Sequence, residues 1–157
     1  RRYPGGKAPL APCIAKLKEV NGVAGGHYLE PYAGGGGVAL DLLFQWYASH
    51  IHINDADPAV FAFWASVTQH SKELLDLLAS TPITIEGWFK WRSVLREDCQ
   101  ASLVEKGFAT LFMNRTNRSG ILKAGVIGGK SQDGSYKLDA RFKKNVIAAR
   151  IVEIAKR

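Results

Sequence analysis

The sequence has no apolar run long enough to cross a bilayer. Its longest, Val38 to Phe44, is short and is broken by Asp41, where a spanning helix needs about twenty apolar residues. Cysteine is nearly absent: Cys13 and Cys99 lie far apart and form no CxxC pair. That excludes a disulfide scaffold and makes a reducing cytoplasm the expected setting. The four histidines, His27, His50, His52 and His70, show no ligand spacing with cysteine or carboxylate, so no metal site is expected. His50 and His52 share one strand face and read as structural. No Ser/His/Asp or Cys/His arrangement is present for nucleophilic catalysis. A secretory leader is not indicated, because Pro4, Gly5 and Gly6 interrupt any helix at the start. The only methionine is Met113, and the chain closes on Lys156-Arg157 within a helical pattern. Both ends therefore read as cut. Internal repeats and low-complexity tracts are lacking.

What is present suits a soluble globule. At 157 residues the chain fits one domain with room for a small subdomain. Hydrophobic residues make up 46% and charged residues 22%, unlike a disordered segment. The formal charge of +7 favours a polyanionic partner, since Lys and Arg displace condensed counterions from nucleic acid.

Leu10, Ile14, Leu17 and Val20 recur at helical spacing and predict an amphipathic helix over residues 7–20. A short strand from His27 to Glu30 leads into the glycine run Gly34 to Gly37. Val38 to Tyr47 reads as a buried helix and His50 to Asn54 as a second strand. Asp57-Pro58 starts a helix reaching about Thr68, with Asp as N-cap and Pro at the first helical position. Ser71 is expected to cap another through Leu78. Trp88, Phe89 and Trp91, with Leu95, read as the core-facing side of a third. Gly107 precedes the apolar stretch Phe108 to Met113. Asn114 to Asp139, rich in Gly, Ser and Lys, predicts loops and a β-hairpin. A last helix starts near Lys143. Strand, glycine turn, helix, strand and acid open an α/β domain with a parallel sheet. The expected organisation is a cofactor-binding part over 1–70, a helical and hairpin part over 71–139, and a returning helix over 140–157.

The strongest chemical signal is Glu30-Pro31-Tyr32-Ala33-Gly34-Gly35-Gly36-Gly37. Glycines after a parallel strand let backbone N–H groups approach a ligand, and the next helix N-terminus favours an anionic group. Asp55, at the end of the second strand, has the position of an acid that accepts hydrogen bonds from ribose hydroxyls. Together they point to an adenosine-containing cofactor. Gly34-x-Gly36-x-x-Ala39 also satisfies a dinucleotide fingerprint, so an NAD-binding oxidoreductase stays open. So does a non-catalytic nucleic-acid-binding module in which the glycine loop is only a turn.

In their order along the chain, Tyr3-Pro-Gly-Gly-Lys7, Tyr28-Leu-Glu-Pro-Tyr-Ala-Gly-Gly-Gly-Gly-Val38, Ile53-Asn-Asp55 and Phe112-Met-Asn-Arg-Thr-Asn-Arg-Ser-Gly-Ile-Leu122 resemble the landmarks of Dam-like DNA adenine-N6 methyltransferases. Ala124-Gly-Val-Ile-Gly-Gly-Lys130 and Asp139-Ala-Arg-Phe142 resemble one branch of that family. The resemblance implies a Rossmann-like, S-adenosylmethionine-dependent α/β fold with a helical and hairpin insertion that reads double-stranded DNA. It implies Gly5, Gly6 and Lys7 near the methionine part of the cofactor. Tyr3, beside that loop, reads equally as a residue that stacks on adenine or as an N-terminal aromatic packed on the domain. Glu30, Pro31, Gly34 and Gly36 would form the binding loop, and Asp55 would hold the ribose. Arg115, Arg118, Lys123 and Lys130 would meet phosphates, and Asn117 and Ser119 base edges.

One landmark is missing. The family's (Asp/Asn/Ser)-Pro-Pro-aromatic tetrapeptide, which stacks the flipped adenine, has no counterpart; Asp57-Pro58-Ala59-Val60 comes nearest and is better read as a helix cap. No residue is therefore assigned as catalytic, and the chain alone is expected not to methylate DNA. A prokaryotic or phage setting is implied. An unfinished parallel sheet would expose a strand edge, which raises the prospect of a homodimer.

Overall fold

The computed structural model describes residues 5–96 and 100–157; Tyr3 and Cys99 lie outside them. The chain forms two compact units, Arg1–Ala56 and Asp57–Arg157.

The first unit is α/β. A single turn over Ala8–Leu10 leads into α1 (Ala11–Val20), β1 (Gly25–Glu30), α2 (Gly37–Phe44) and β2 (Ala48–Ile53). The strands run parallel, with His27 opposite His50, Tyr28 opposite Ile51 and Glu30 opposite Ile53. Ala11, Ala15, Val38, Leu42 and Ala48 form the core, flanked by Ile14, Tyr28, Tyr47 and Ile51. The inward side of α1 is thus built on its alanines, while Leu10, Leu17 and Val20 of the expected apolar face are exposed. Alanine lets α1 lie close against Val38 and Leu42, which longer side chains would prevent. Helix α2 ends earlier than its apolar run suggested: Trp46 adopts a positive φ of 64°, so the chain turns at once into β2. The other face of the sheet presents His27, Leu29, His50 and His52, with Leu29 64% exposed. His27 Nδ1 lies 2.9 Å from His52 Nε2.

The second unit is helical: α3 (Pro58–Gln69), α4 (Ser71–Ser80), α5 (Ile85–Arg96), α6 (Leu103–Thr116) and α7 (Lys144–Ala155). Asp57 caps α3 by accepting from Ala59 N at 2.9 Å. Ser71 is not a cap; it is the first residue of α4, after His70. Ser102 and Glu105 begin α6 with a reciprocal capping box, a signal missed in the sequence. Gly107 sits inside α6, where α6 meets α3. There the Thr110 hydroxyl donates to Ala59 O at 2.9 Å, and Ser66 Oγ donates to Ala62 O at 2.6 Å. Because α3 packs on α6 and α7, it belongs to this unit, and the boundary falls after residue 56 rather than at 70. Trp88, Trp91, Phe108 and Phe112 fill the interior, Trp91 and Phe108 edge to face at 4.7 Å. Phe89, expected among them, is 45% exposed.

The hairpin does not form. Asn114, Arg115 and Thr116 extend α6, and turns follow with one isolated antiparallel bridge, Asn117 to Val126. No helix among the described residues is long and apolar enough to cross a membrane.

Candidate functional site

The chain leaves β1 at Glu30 and enters α2 at Gly37, and the loop between is held from several sides. Ala33 N donates to Asn54 O at 2.9 Å and Gly36 N to Ala33 O at 2.7 Å. Gly34 (φ 49°) and Gly36 (φ 59°) take left-handed conformations that a side chain would strain. Gly37 serves packing instead: a Cβ there would lie 2.9 Å from Ala8 Cβ. That close approach brings the segment after Gly5, Gly6 and Lys7 onto the start of α2.

Two carboxylates hold this loop. Asp55, just past β2, accepts a hydrogen bond from Gly34 N at 2.7 Å. Glu30, its side chain only 4% exposed, accepts from Ala39 N at 3.0 Å with Oε2. A carboxylate bonded to the first turn of α2 gains from the partial positive charge of the helix N-terminus. Its Oε1 lies 2.9 Å from the Lys7 ammonium, an ion pair without hydrogen-bond alignment. Lys7 instead donates to Tyr32 O at 2.5 Å. Burial, and then the Glu30 charge, raise the Tyr28 phenol above its ordinary pKa.

The structure thus brings Lys7, Glu30, Gly34, Gly36 and Asp55 together. Pro31, Gly5 and Gly6 are exposed beside them in sequence. Tyr3 lies outside the described residues. The Lys7–Glu30 pair is not legible in the sequence, where Glu30 stands only as part of the binding loop. Lys7 supplies a positive charge there itself.

The second group of expected residues lies on residues 114–130. Arg118, Ser119, Lys123 and Lys130 are exposed; Ser119 has a positive φ of 55°, and Lys130 Nζ stands 5.5 Å from the centre of the Phe89 ring. Asn117 is different and corrects the sequence reading. Its side chain is fully buried, its Oδ1 accepts from Trp88 Nε1 at 2.7 Å, and its Nδ2 donates to Ile121 O at 3.0 Å and Leu122 O at 2.9 Å. With its amide so engaged it shapes the loop from within and has no polar group to offer a base edge. Asn114 donates to Gly120 O at 2.9 Å. Gln132 donates to Ile127 O at 2.7 Å and accepts from Leu138 N at 2.8 Å. Three carboxamides therefore do the holding that a strand ladder would otherwise do.

Trp88→Phe is expected to lower stability by about 1–3 kcal/mol, because it leaves the buried Asn117 Oδ1 without its donor. Thermal or urea denaturation measures this, and an unchanged midpoint would show that the bond holds nothing.

Arg141 lies in the Asp139-Ala-Arg-Phe142 stretch. Its guanidinium donates to the main-chain oxygen of Asn117, at the end of α6. Arg115, one turn-end earlier, is half-buried, and burial followed by the charge of Arg141 lowers its pKa.

The model of one protein family, described as D12 class N6 adenine-specific DNA methyltransferase, matches residues 3–154. No curated protein matches the chain.

Proposed function

The chain belongs to the family of D12 class N6 adenine-specific DNA methyltransferases, and from that premise we propose that its first unit binds S-adenosylmethionine and its second reads duplex DNA. Methyltransferases of this family typically use that cofactor. The observation that carries the reading is the bond from Gly34 N to Asp55 Oδ2 at 2.7 Å. It sets the glycine loop of the first strand beside the acid ending the second, the two elements from which an adenosine site is built. The Lys7–Glu30 pair fits the same ligand, because a methionine moiety carries both an ammonium and a carboxylate. Asp55 would hold the ribose hydroxyls; Glu30, Lys7, Gly5 and Gly6 would take the amino-acid end; Pro31, Gly34 and Gly36 would line the loop. When bound, the cofactor supplies a methyl group activated by a sulfonium. The two parallel strands would be the opening of a Rossmann-like sheet.

For DNA, Arg115, Arg118, Lys123 and Lys130 are the phosphate-facing residues, and Ser119 is the exposed polar side chain at the turn. Asn117 is a positioning residue. Methyl transfer itself needs a Pro-Pro-aromatic tetrapeptide that the sequence lacks, so the chain alone binds without turnover.

Titration calorimetry with S-adenosylmethionine, and with NAD as control, tests the first half. Binding of S-adenosylmethionine alone is expected. NAD binding alone would move the reading to an oxidoreductase, and silence with both would make the glycine loop a structural turn. Anisotropy with duplex DNA tests the second half: affinity should fall steeply with added salt. Binding that is indifferent to salt, or absent, would remove DNA reading from the second unit.

A further inference from the structure

Arg115 lies in the last turn of α6 and Arg141 donates to the Asn117 carbonyl that ends this helix; both are half-buried there, and each charge acts on the other. Neither forms an ion pair with a carboxylate among the described residues. The Nε of each is buried and lacks a hydrogen-bond partner there. Two like charges partly shielded from water, each with an unused donor, are unfavourable without an anion. Arg141 is held in place by its bond to the Asn117 carbonyl, and Asn117 in turn by Trp88. The scaffold is therefore fixed before any ligand arrives. Some of this charge complements the negative end of α6, yet a helix end needs neither a second guanidinium nor buried, unbonded Nε groups.

We propose that Arg115 and Arg141 form a preassembled receptor for one phosphate of the DNA backbone, resting on the DNA reading above. Guanidinium suits this task, since its planar donors meet phosphate oxygens two at a time. Arg141 thereby joins the interface, and Arg115 becomes half of a pair rather than one of several independent cations. The pair works by being poorly satisfied in the free protein, which makes stability and DNA affinity oppose each other at Arg115.

The test compares the whole chain with Arg115→Gln, Arg141→Lys and the distant charge control Arg150→Gln. Binding to duplex DNA is followed by anisotropy across salt concentrations, and the melting temperature is measured without DNA. Arg115→Gln is expected to reduce the slope of log K against log salt by about one while melting no lower than the wild type. Arg141→Lys keeps the charge but loses the fork, so it should weaken DNA binding with the slope nearly unchanged. Arg150→Gln should do neither. If the wild type fails to bind DNA, the DNA reading falls and takes this inference with it. If the wild type binds but Arg115→Gln leaves the slope unchanged, or lowers both melting temperature and affinity, the pair is a structural cap and only this inference is overturned. Inorganic phosphate raising the wild-type melting temperature, with no change of DNA slope in Arg115→Gln, would assign the pair to a free anion and likewise overturn it.

Discussion

Gly107→Ala is expected to destabilise the second unit by about 3 kcal/mol, the upper end of what overpacking a well-filled interior costs. The reason is local and geometric. A Cβ at position 107 would fall on Ser66 Oγ, 2.6 Å from Ala62 O and 2.9 Å from Ser66 Cβ. Two of these are fixed parts of α3, so neither rotates aside. The Ser66 hydroxyl is itself committed to Ala62 O, and displacing it strands a buried polar group. Separating α3 from α6 to make room would also break the Thr110 bond to Ala59 O. Helix propensity points the other way: alanine in an exposed helix interior is favoured over glycine by about 1 kcal/mol. Packing therefore has to outweigh propensity for the prediction to hold. Urea denaturation of the variant decides it, and a gain in stability would mean that the two helices slide apart at little cost.

That competition explains why parts of the molecule were readable from its residues and others were not. The glycine loop and Asp55 were legible because their constraints are local: positive φ at Gly34 and Gly36, and an acid at a strand end. Asp57-Pro58 was legible for the same reason. Gly107 stands in the sequence only as the residue before an apolar stretch, because the feature that favours it, the close approach of α3, lies far away in sequence. The side of α1 was misjudged since periodicity marks Leu10, Leu17 and Val20 as apolar without saying that Ala11 and Ala15 fit the narrow space. In residues 114–139, the sequence points Asn117 toward a base edge and gives Asn114 and Gln132 no partner. Asn114, Asn117 and Gln132 instead bond main-chain carbonyls of their own loop, and a polar residue's partner cannot be seen from its type. Lys7 and Glu30 each drew attention alone, but only the fold puts them 2.9 Å apart.

Asp55→Ala is expected to weaken S-adenosylmethionine binding about a hundredfold, roughly 2.7 kcal/mol. Two losses combine. The Gly34 N–H loses a charge-assisted partner, worth about 1.5–3 kcal/mol where it is shielded from water, so the loop is no longer held in its binding form. The ribose hydroxyls also lose their acceptor under the proposed site assignment. Asp55→Asn separates these effects, because an amide oxygen still accepts from Gly34 N while the negative charge is gone. Its affinity should fall by about tenfold, with stability close to that of the wild type, since a neutral bond replaces a charged one at a cost of about 1 kcal/mol. If Asp55 served only to fasten the loop, Asp55→Asn would bind almost as the wild type does and Asp55→Ala would lose stability in proportion to affinity. Calorimetry paired with thermal melting of both variants distinguishes the cases. Equal, strong loss of affinity in the two variants with unchanged melting would place the carboxylate on the ligand itself, with its bond to Gly34 secondary.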